Sequence, residues 1–131
     1  MNHKYHFKNL DAYKESKKLV KMVYGLLKQF PKEEQYALCE QLRRAVISVP
    51  SNIAEGSGRT CAKDQAHFIE MAYGSLMEVE CQIDIAYDLS YISQDNINKV
   101  KELIDVVAAL LSVLRNKYLS SLNTNLLNTK H

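Results

Sequence analysis

Residues 35–59 read QYALCEQLRRAVISVPSNIAEGSGR. At 100° per residue, Leu38, Leu42, Ala45, Val46, Val49 and Ile53 share one face, the pattern of an amphipathic helix. The stripe keeps its phase across Pro50, so the spacing predicts one helix bent at a proline and not two helices. Proline lacks an N–H and crowds the carbonyl four residues back, that of Val46, which costs roughly 3 kcal/mol in an isolated helix. Tertiary packing must offset that cost. Ser48 and Ser51 flank the bend and are placed to satisfy freed backbone groups. Gly56 and Gly58 follow Glu55, and either suits the left-handed conformation that closes a helix. Asn52 lies near the flank of the core stripe. Glu55 is expected to pair with Arg59, or with an arginine of a neighbouring helix, in a buried or half-buried ion pair that fixes the bend.

Working outward, an N-terminal helix is predicted over residues 10–29. Ala12, Leu19, Val23, Leu26, Leu27 and Phe30 face its core side, while Lys14, Lys17, Lys18, Lys21 and Lys28 gather opposite. Pro31 ends it. Phe30 is expected to staple the next helix, with Glu33 and Glu34 at the positive end of that helix's dipole. A third helix is predicted from Thr60 or Cys61 to about Ser90. Its inner face is Phe68, Ala72, Ser75, Val79, Ile83 and Ala86, with Met71, Leu76 and Leu89 on the flanks. Gly74 and Ser75 are small enough to let a neighbouring helix approach. The outer face carries Glu70, Glu80, Asp84 and Asp88, and is either solvated or a dock for the basic first helix of another subunit. Ser93 reads as the N-cap of a fourth helix, with Asp95 in its first turn. Val100, Leu103, Ile104, Val107, Leu111, Leu114 and Tyr118 form its core stripe. Beyond Ser120 the sequence turns polar, and fraying is expected. Four helices with short connections predict an all-α, antiparallel up-down-up-down four-helix bundle over residues 10–120, with flexible segments at 1–9 and 121–131.

The chain of 131 residues is 47% apolar with two prolines and four glycines, which suits one helical core and leaves little for a loop-rich fold. It contains no apolar run long enough for a membrane span, and MNHKYHFKNLD lacks the apolar core of a signal peptide. Cys39, Cys61 and Cys81 are an odd number in a spacing that fits no zinc site. They are expected as reduced thiols packed like small apolar residues in a cytoplasmic protein. The net charge of +2 conceals segregation by element. Residues 1–32 hold eight lysines against two acids, and residues 33–91 hold four basic against ten acidic side chains.

Helical bundles are able to hold di-iron centres, which need two E-x-x-H motifs and two further inward glutamates. Here Asp64 and His67 form one carboxylate–histidine pair, and His67 lies about 100° off the apolar stripe. His3 and His6 fall in the N-terminal segment, where H-x-x-H would chelate weakly, and His131 is the last residue. No metal or cofactor site is expected. Neither Cys39 nor Cys81 has a histidine near in sequence, and Ser51, Ser57 and Ser75 sit in no nucleophile-elbow context. The glycines of GSGR follow a helix, whereas a phosphate loop follows a strand and carries G-K-[ST]. No catalytic residue is assigned, and the chain is read as a non-enzyme.

Five lysines on one helix face are able to meet successive phosphates, with Arg43, Arg44, Arg59 and Lys63 as a second basic group; the same lysines also suit a solvated face. A net charge of +2 argues against a strongly basic binding protein, and Tyr13 and Tyr24 only border the lysines, so charge and shape, not base sequence, are what the side chains suit. Two secondary apolar stripes, Tyr36, Ile47 and Ala54 on the second helix and Val106, Ala109 and Val113 on the fourth, exceed what one bundle core uses. They predict homo-oligomer contacts.

Several motifs together carry a family resemblance. They are FPKEEQYAL from Phe30, QLRRA from Gln41, SVPSNIAEGSGR from Ser48, AYGSLMEVE from Ala72 and DLSYIS from Asp88. Over about residues 10–120 the chain resembles the four-helix-bundle proteins encoded in 23S rRNA intervening sequences. Ser90 departs from the pattern, standing where that family more often has a glycine closing the third helix. The resemblance extends to accessory proteins of diversity-generating retroelements. It implies a pentameric ring of bundles, with nucleic acid and a partner protein such as a reverse transcriptase as partners; that no membrane is among them is expected from the lack of a long apolar run. The expected function is a non-enzymatic scaffold or adaptor that holds RNA or DNA by charge. One rival is a purely protein-binding oligomer. The other is a metal-dependent enzyme, against which the missing second carboxylate–histidine pair counts.

Overall fold

Four α-helices carry the chain in the computed structural model, which describes the backbone of residues 2–129 and the side chains of residues 6–121. They are α1 (Asp11–Leu27), α2 (Leu38–Ser57), α3 (Ala62–Asp88) and α4 (Gln94–Thr129), and no strand occurs among the described residues. Short 3-10 helices precede α1, at Asn2–Asn9, and α2, at Lys32–Glu34.

Cross-helix pairs give the directions. Glu70 pairs with Arg115 and Asp84 with Lys101, so advancing along α3 means retreating along α4. Gln82 reaches Gln41 near the start of α2, whereas Phe68 meets Gly56 near its end. Phe30, just past α1, packs its ring 5.4 Å from that of Tyr91 ahead of α4, while Leu10 and Ala12 lie beside Leu114 and Lys117. Neighbouring helices are therefore antiparallel. Their shared core includes Leu19, Leu42, Ile53, Ile69, Leu76, Ile83, Ile104 and Leu111, all fully buried. Each such side chain contributes about 1.5–3 kcal/mol through removal from water.

The helix α2 runs unbroken through Pro50, which is itself buried. Ser48 Oγ donates to the Arg44 carbonyl at 2.8 Å, and Asn52 Nδ2 donates to the Ser48 carbonyl at 2.9 Å. These bonds tie Ser48 and Asn52 to carbonyls beside the bend and not to the Val46 carbonyl that Pro50 frees, and Ser51 is exposed, so neither serine takes the role anticipated for it. Local periodicity misplaces several other residues. Glu33 and Glu34 lie in the 3-10 turn and not in the first turn of α2, where Glu40 stands. Leu38, at the helix start, is half-buried, and Cys39 takes its place in the core. On α3 the inner face is rotated towards Ile69 and Leu76, leaving Phe68 and Ser75 half-buried, because α4 covers that flank.

The glycine expectations are corrected too. Neither Gly56 nor Gly58 adopts a positive φ; Gly58 ends α2 in right-handed geometry at φ −85°. Gly56 serves instead as a site of close approach between α2 and α3. Gly74 meets nothing within 4 Å of where a Cβ would stand, so it admits no neighbouring helix. The left-handed residue is Ser90, at φ 67°, closing α3 with Ser90 N–H donating to Tyr87 O and Tyr91 N–H donating to Ala86 O. Ser93 caps α4: its Oγ accepts the Asn96 N–H at 3.2 Å. The backbone of α4 remains helical beyond Ser120 to Thr129.

Candidate functional site

The basic face of α1 becomes a site because of where the chain before it lies. Lys14, Lys17, Lys18 and Lys21 follow i, i+3, i+4, i+7 spacing and so stack along one face. The preceding 3-10 turn, closed on α1 by Leu10 N–H donating to Phe7 O at 3.1 Å, brings Lys8 beside them. These five lysines and Tyr13 surround an open groove of about 470 Å³. Like charges at this spacing each cost a few tenths of a kcal/mol in an isolated helix. Within the cluster, Lys18 pairs with Glu15 at 3.0 Å, and the Lys17 ammonium stands 5.4 Å from the centre of the Tyr13 ring. Phe7 meets Tyr13 edge-on at 5.0 Å, fixing the ring at the groove's edge. Lysine ammoniums on flexible stems act as mobile point charges, suited to phosphate oxygens and unable to read base edges bidentately.

A second groove, of about 580 Å³, lies between α1 and α2 and shares Tyr13, Lys17 and Lys21 with the first. Its remaining lining is Phe7, Val20, Ile47, Pro50, Ser51 and Ala54, almost entirely apolar. Sequence periodicity did not reveal Lys8, Phe7 or the role of Tyr13, because they depend on how the 3-10 turn folds back. The charge bias of the first 32 residues was the available signal.

The other basic candidates lie apart from this groove. Lys28 is exposed near the far end of α1. Arg43 donates to the Gln35 carbonyl at 3.4 Å, and Arg44 stands 3.9 Å from Glu40. Arg59 lies 3.3 Å from Glu55 with its guanidinium 4.6 Å above the Phe68 ring. Lys63 is exposed at the start of α3. The Glu55–Arg59 pair does form, but on the surface, with the two side chains 51% and 46% exposed, so it does not anchor the bend from inside.

On the acidic side of the bundle, Glu70 and Asp84 are taken up by Arg115 and Lys101 of α4. The hydrogen bond that Lys101 donates to the Asp84 carboxylate holds its ammonium above its ordinary value, opposed by partial desolvation. His67 is exposed, and no cluster of three potential metal ligands occurs among the described residues. The His3 and His131 side chains lie outside the described residues. Among the described residues, no helix is long and apolar enough to cross a membrane.

Of the side chains expected at subunit contacts, Tyr36, Val106, Ala109 and Val113 are exposed, Tyr36 at 82% and Val113 at 66%. Tyr36 precedes α2, so it is not part of that helix's stripe. Ile47 and Ala54 line the α1–α2 groove.

No curated protein matches this chain. Among solved structures, it is similar to a crystal structure of a protein with unknown function from the S23 ribosomal protein family of Bacteroides thetaiotaomicron. The TM-score is 0.72 at 17% identity, covering 79% of this chain and 97% of that one. That likeness is one of fold. The model of the 23S rRNA-intervening sequence proteins matches residues 8–113, which takes in the lysine groove, the SVPSNIAEGSGR segment and most of α4. The chain belongs to the 23S rRNA-intervening sequence protein family.

Proposed function

We propose that this protein is a non-enzymatic scaffold or adaptor of the cytoplasm that holds RNA or DNA by charge. The observation that carries the proposal is the gathering of Lys8, Lys14, Lys17, Lys18 and Lys21 around one groove. A stretch from Lys14 to Lys21 spans about 10 Å of helix. At about 3.4 Å of strand per phosphate, that is the reach of roughly three phosphates. The S23 ribosomal family name of the structural neighbour and the resemblance to retroelement accessory proteins support a nucleic-acid setting. With them comes a partner protein of the reverse-transcriptase kind. Self-association into a ring, a pentamer by that resemblance, is supported by the exposure of Val106, Ala109 and Val113 on one flank of α4.

The test is light scattering with and without a short structured RNA, at low and moderate salt. A mass above one chain that rises further with RNA at low salt, and falls back as salt is added, is expected. Changing Lys14, Lys17, Lys18 and Lys21 together to Ala should abolish the gain. An oligomer that ignores RNA at every salt leaves a protein-only scaffold. A monomer removes the ring.

A further inference from the structure

We propose that the apolar groove between α1 and α2 receives an unpaired base of a single-stranded nucleic acid whose phosphates lie on the adjoining lysine groove. The proposal rests on the charge-based binding above and adds a substrate class, strands with free bases in preference to duplex. Its basis is the junction of two depressions of opposite character. Tyr13, Lys17 and Lys21 line both, so a phosphate held by Lys17 or Lys21 lies next to an apolar floor built by Val20, Ile47, Pro50 and Ala54.

That floor is the outer margin of the bundle core, with Pro50 buried, Val20 and Ala54 half-buried and Ile47 open to solvent. Ile47 remains 42% exposed beside a row of cations, where an apolar side chain gains nothing from solvent. A duplex offers this junction only phosphates, because its bases are stacked inside. A free nucleotide joins an anionic group to a flat apolar ring a few bonds away, which is the combination the junction supplies. The edge-to-face pair of Phe7 and Tyr13 stands where such a ring would arrive. An acidic helix of a partner protein would also satisfy the lysines, but would leave those aromatic rings without a flat partner.

Fluorescence anisotropy on the full chain decides the matter with three probes matched in phosphate number. They are an oligodeoxythymidylate, an abasic oligomer and a blunt-ended duplex without loops, which should bind no more tightly than the abasic strand. Base insertion predicts that the thymidylate binds about tenfold more tightly than the abasic strand, the scale of one base–aromatic contact. Ala54→Leu, which fills the groove, and Ile47→Ser, which makes its floor polar, should each bring thymidylate affinity down towards that of the abasic strand. Equal binding of thymidylate and abasic strands by the unaltered protein overturns base insertion and leaves the phosphate contacts standing. Failure of all three probes to bind overturns both proposals. An acidic amphipathic peptide that binds and is displaced by Ala54→Leu, while thymidylate binding ignores that change, assigns the groove to a protein partner instead.

Discussion

Gly56 of α2 lies so close to Phe68 of α3 that a β-carbon added to it would stand 2.9 Å from Phe68 Cβ and 3.2 Å from the Gln65 carbonyl oxygen. Neither obstacle is the free end of a flexible side chain, so the helices would have to part. Gly56→Ala is expected to lower stability by about 1–2 kcal/mol, overpacking outweighing alanine's better helix propensity. Gly25→Ala and Gly74→Ala meet open space and should each raise stability by about 0.5–1 kcal/mol. Urea unfolding of the three variants checks the contrast. Equal effects at all three positions would remove the close-approach account.

Ser90 carries a left-handed backbone, φ 67°, in a place where the family pattern favours glycine. A β-carbon in that region costs about 1–2 kcal/mol, part of which glycine returns as unfolded-chain entropy. Ser90→Gly should therefore raise stability by roughly 0.5–1 kcal/mol, and Ser90→Val should lower it by more than 1 kcal/mol. Thermal unfolding reads both directions.

Gln82 is buried, and its Nε2 makes a long 3.4 Å hydrogen bond to Gln41 Oε1 while its own Oε1 has no partner. A buried acceptor left unpaired costs about 1–3 kcal/mol. Gln82→Met keeps the shape and removes the orphan, and Gln41 is exposed and able to turn to water. A gain of about 1 kcal/mol is expected from chemical denaturation. A loss would mean that the amide holds the α2–α3 contact together.

Burial pushes the Cys39 thiol above its ordinary 9.0, with Arg43 pulling the other way and Glu34 adding to the rise. In the unfolded chain the thiol ionises near 9.0 while in the folded one it keeps its proton. Stability should thus fall as the pH climbs past 9.0, and Cys39→Ala should flatten that slope. Thiolates are the reactive form, so a thiol reagent at neutral pH should label exposed Cys61 and Cys81 promptly and Cys39 only on unfolding. Prompt labelling at Cys39 would show that the start of α2 opens readily.

The Lys101 ammonium is held above its ordinary 10.5 chiefly by the hydrogen bond it donates to Asp84, so here the charged form is favoured, whereas at Cys39 burial disfavours it. The folded form binds the proton more tightly, so the pair's contribution is complete at neutral pH and disappears as the pH rises beyond 10.5. The Lys101 and Asp84 side chains are partly open to solvent, and the effect should be small and weakened by salt. A Lys101→Met variant compared with the parent at low and high salt is the check.

What the sequence by itself determined is what a single helix knows about itself. Val100, Ile104, Val107, Leu111 and Leu114 recur at helical spacing, and all are buried. Ser93 stands where a cap is needed, and it accepts the Asn96 N–H. The phase held across Pro50 makes α2 one helix, and the segregated lysines mark α1 as the basic element. These features rest on the 3.6-residue period and on groups a few residues apart, so they need no knowledge of neighbours. Tertiary structure decided what depends on who stands opposite. Ile69 and Phe68 are both apolar and adjacent in the chain, and the position of α4 selects Ile69 for the core. Gly56 resembles a helix-ending glycine until α3 is laid across it. Lys8 and Phe7 join the α1 lysines only because the 3-10 turn folds back, and Tyr13 comes to stand between a charged groove and an apolar one only when α2 packs beside α1. Helix periodicity defines a face, but the edge of that face, and what is left open beside it, is set by the helices that pack against it.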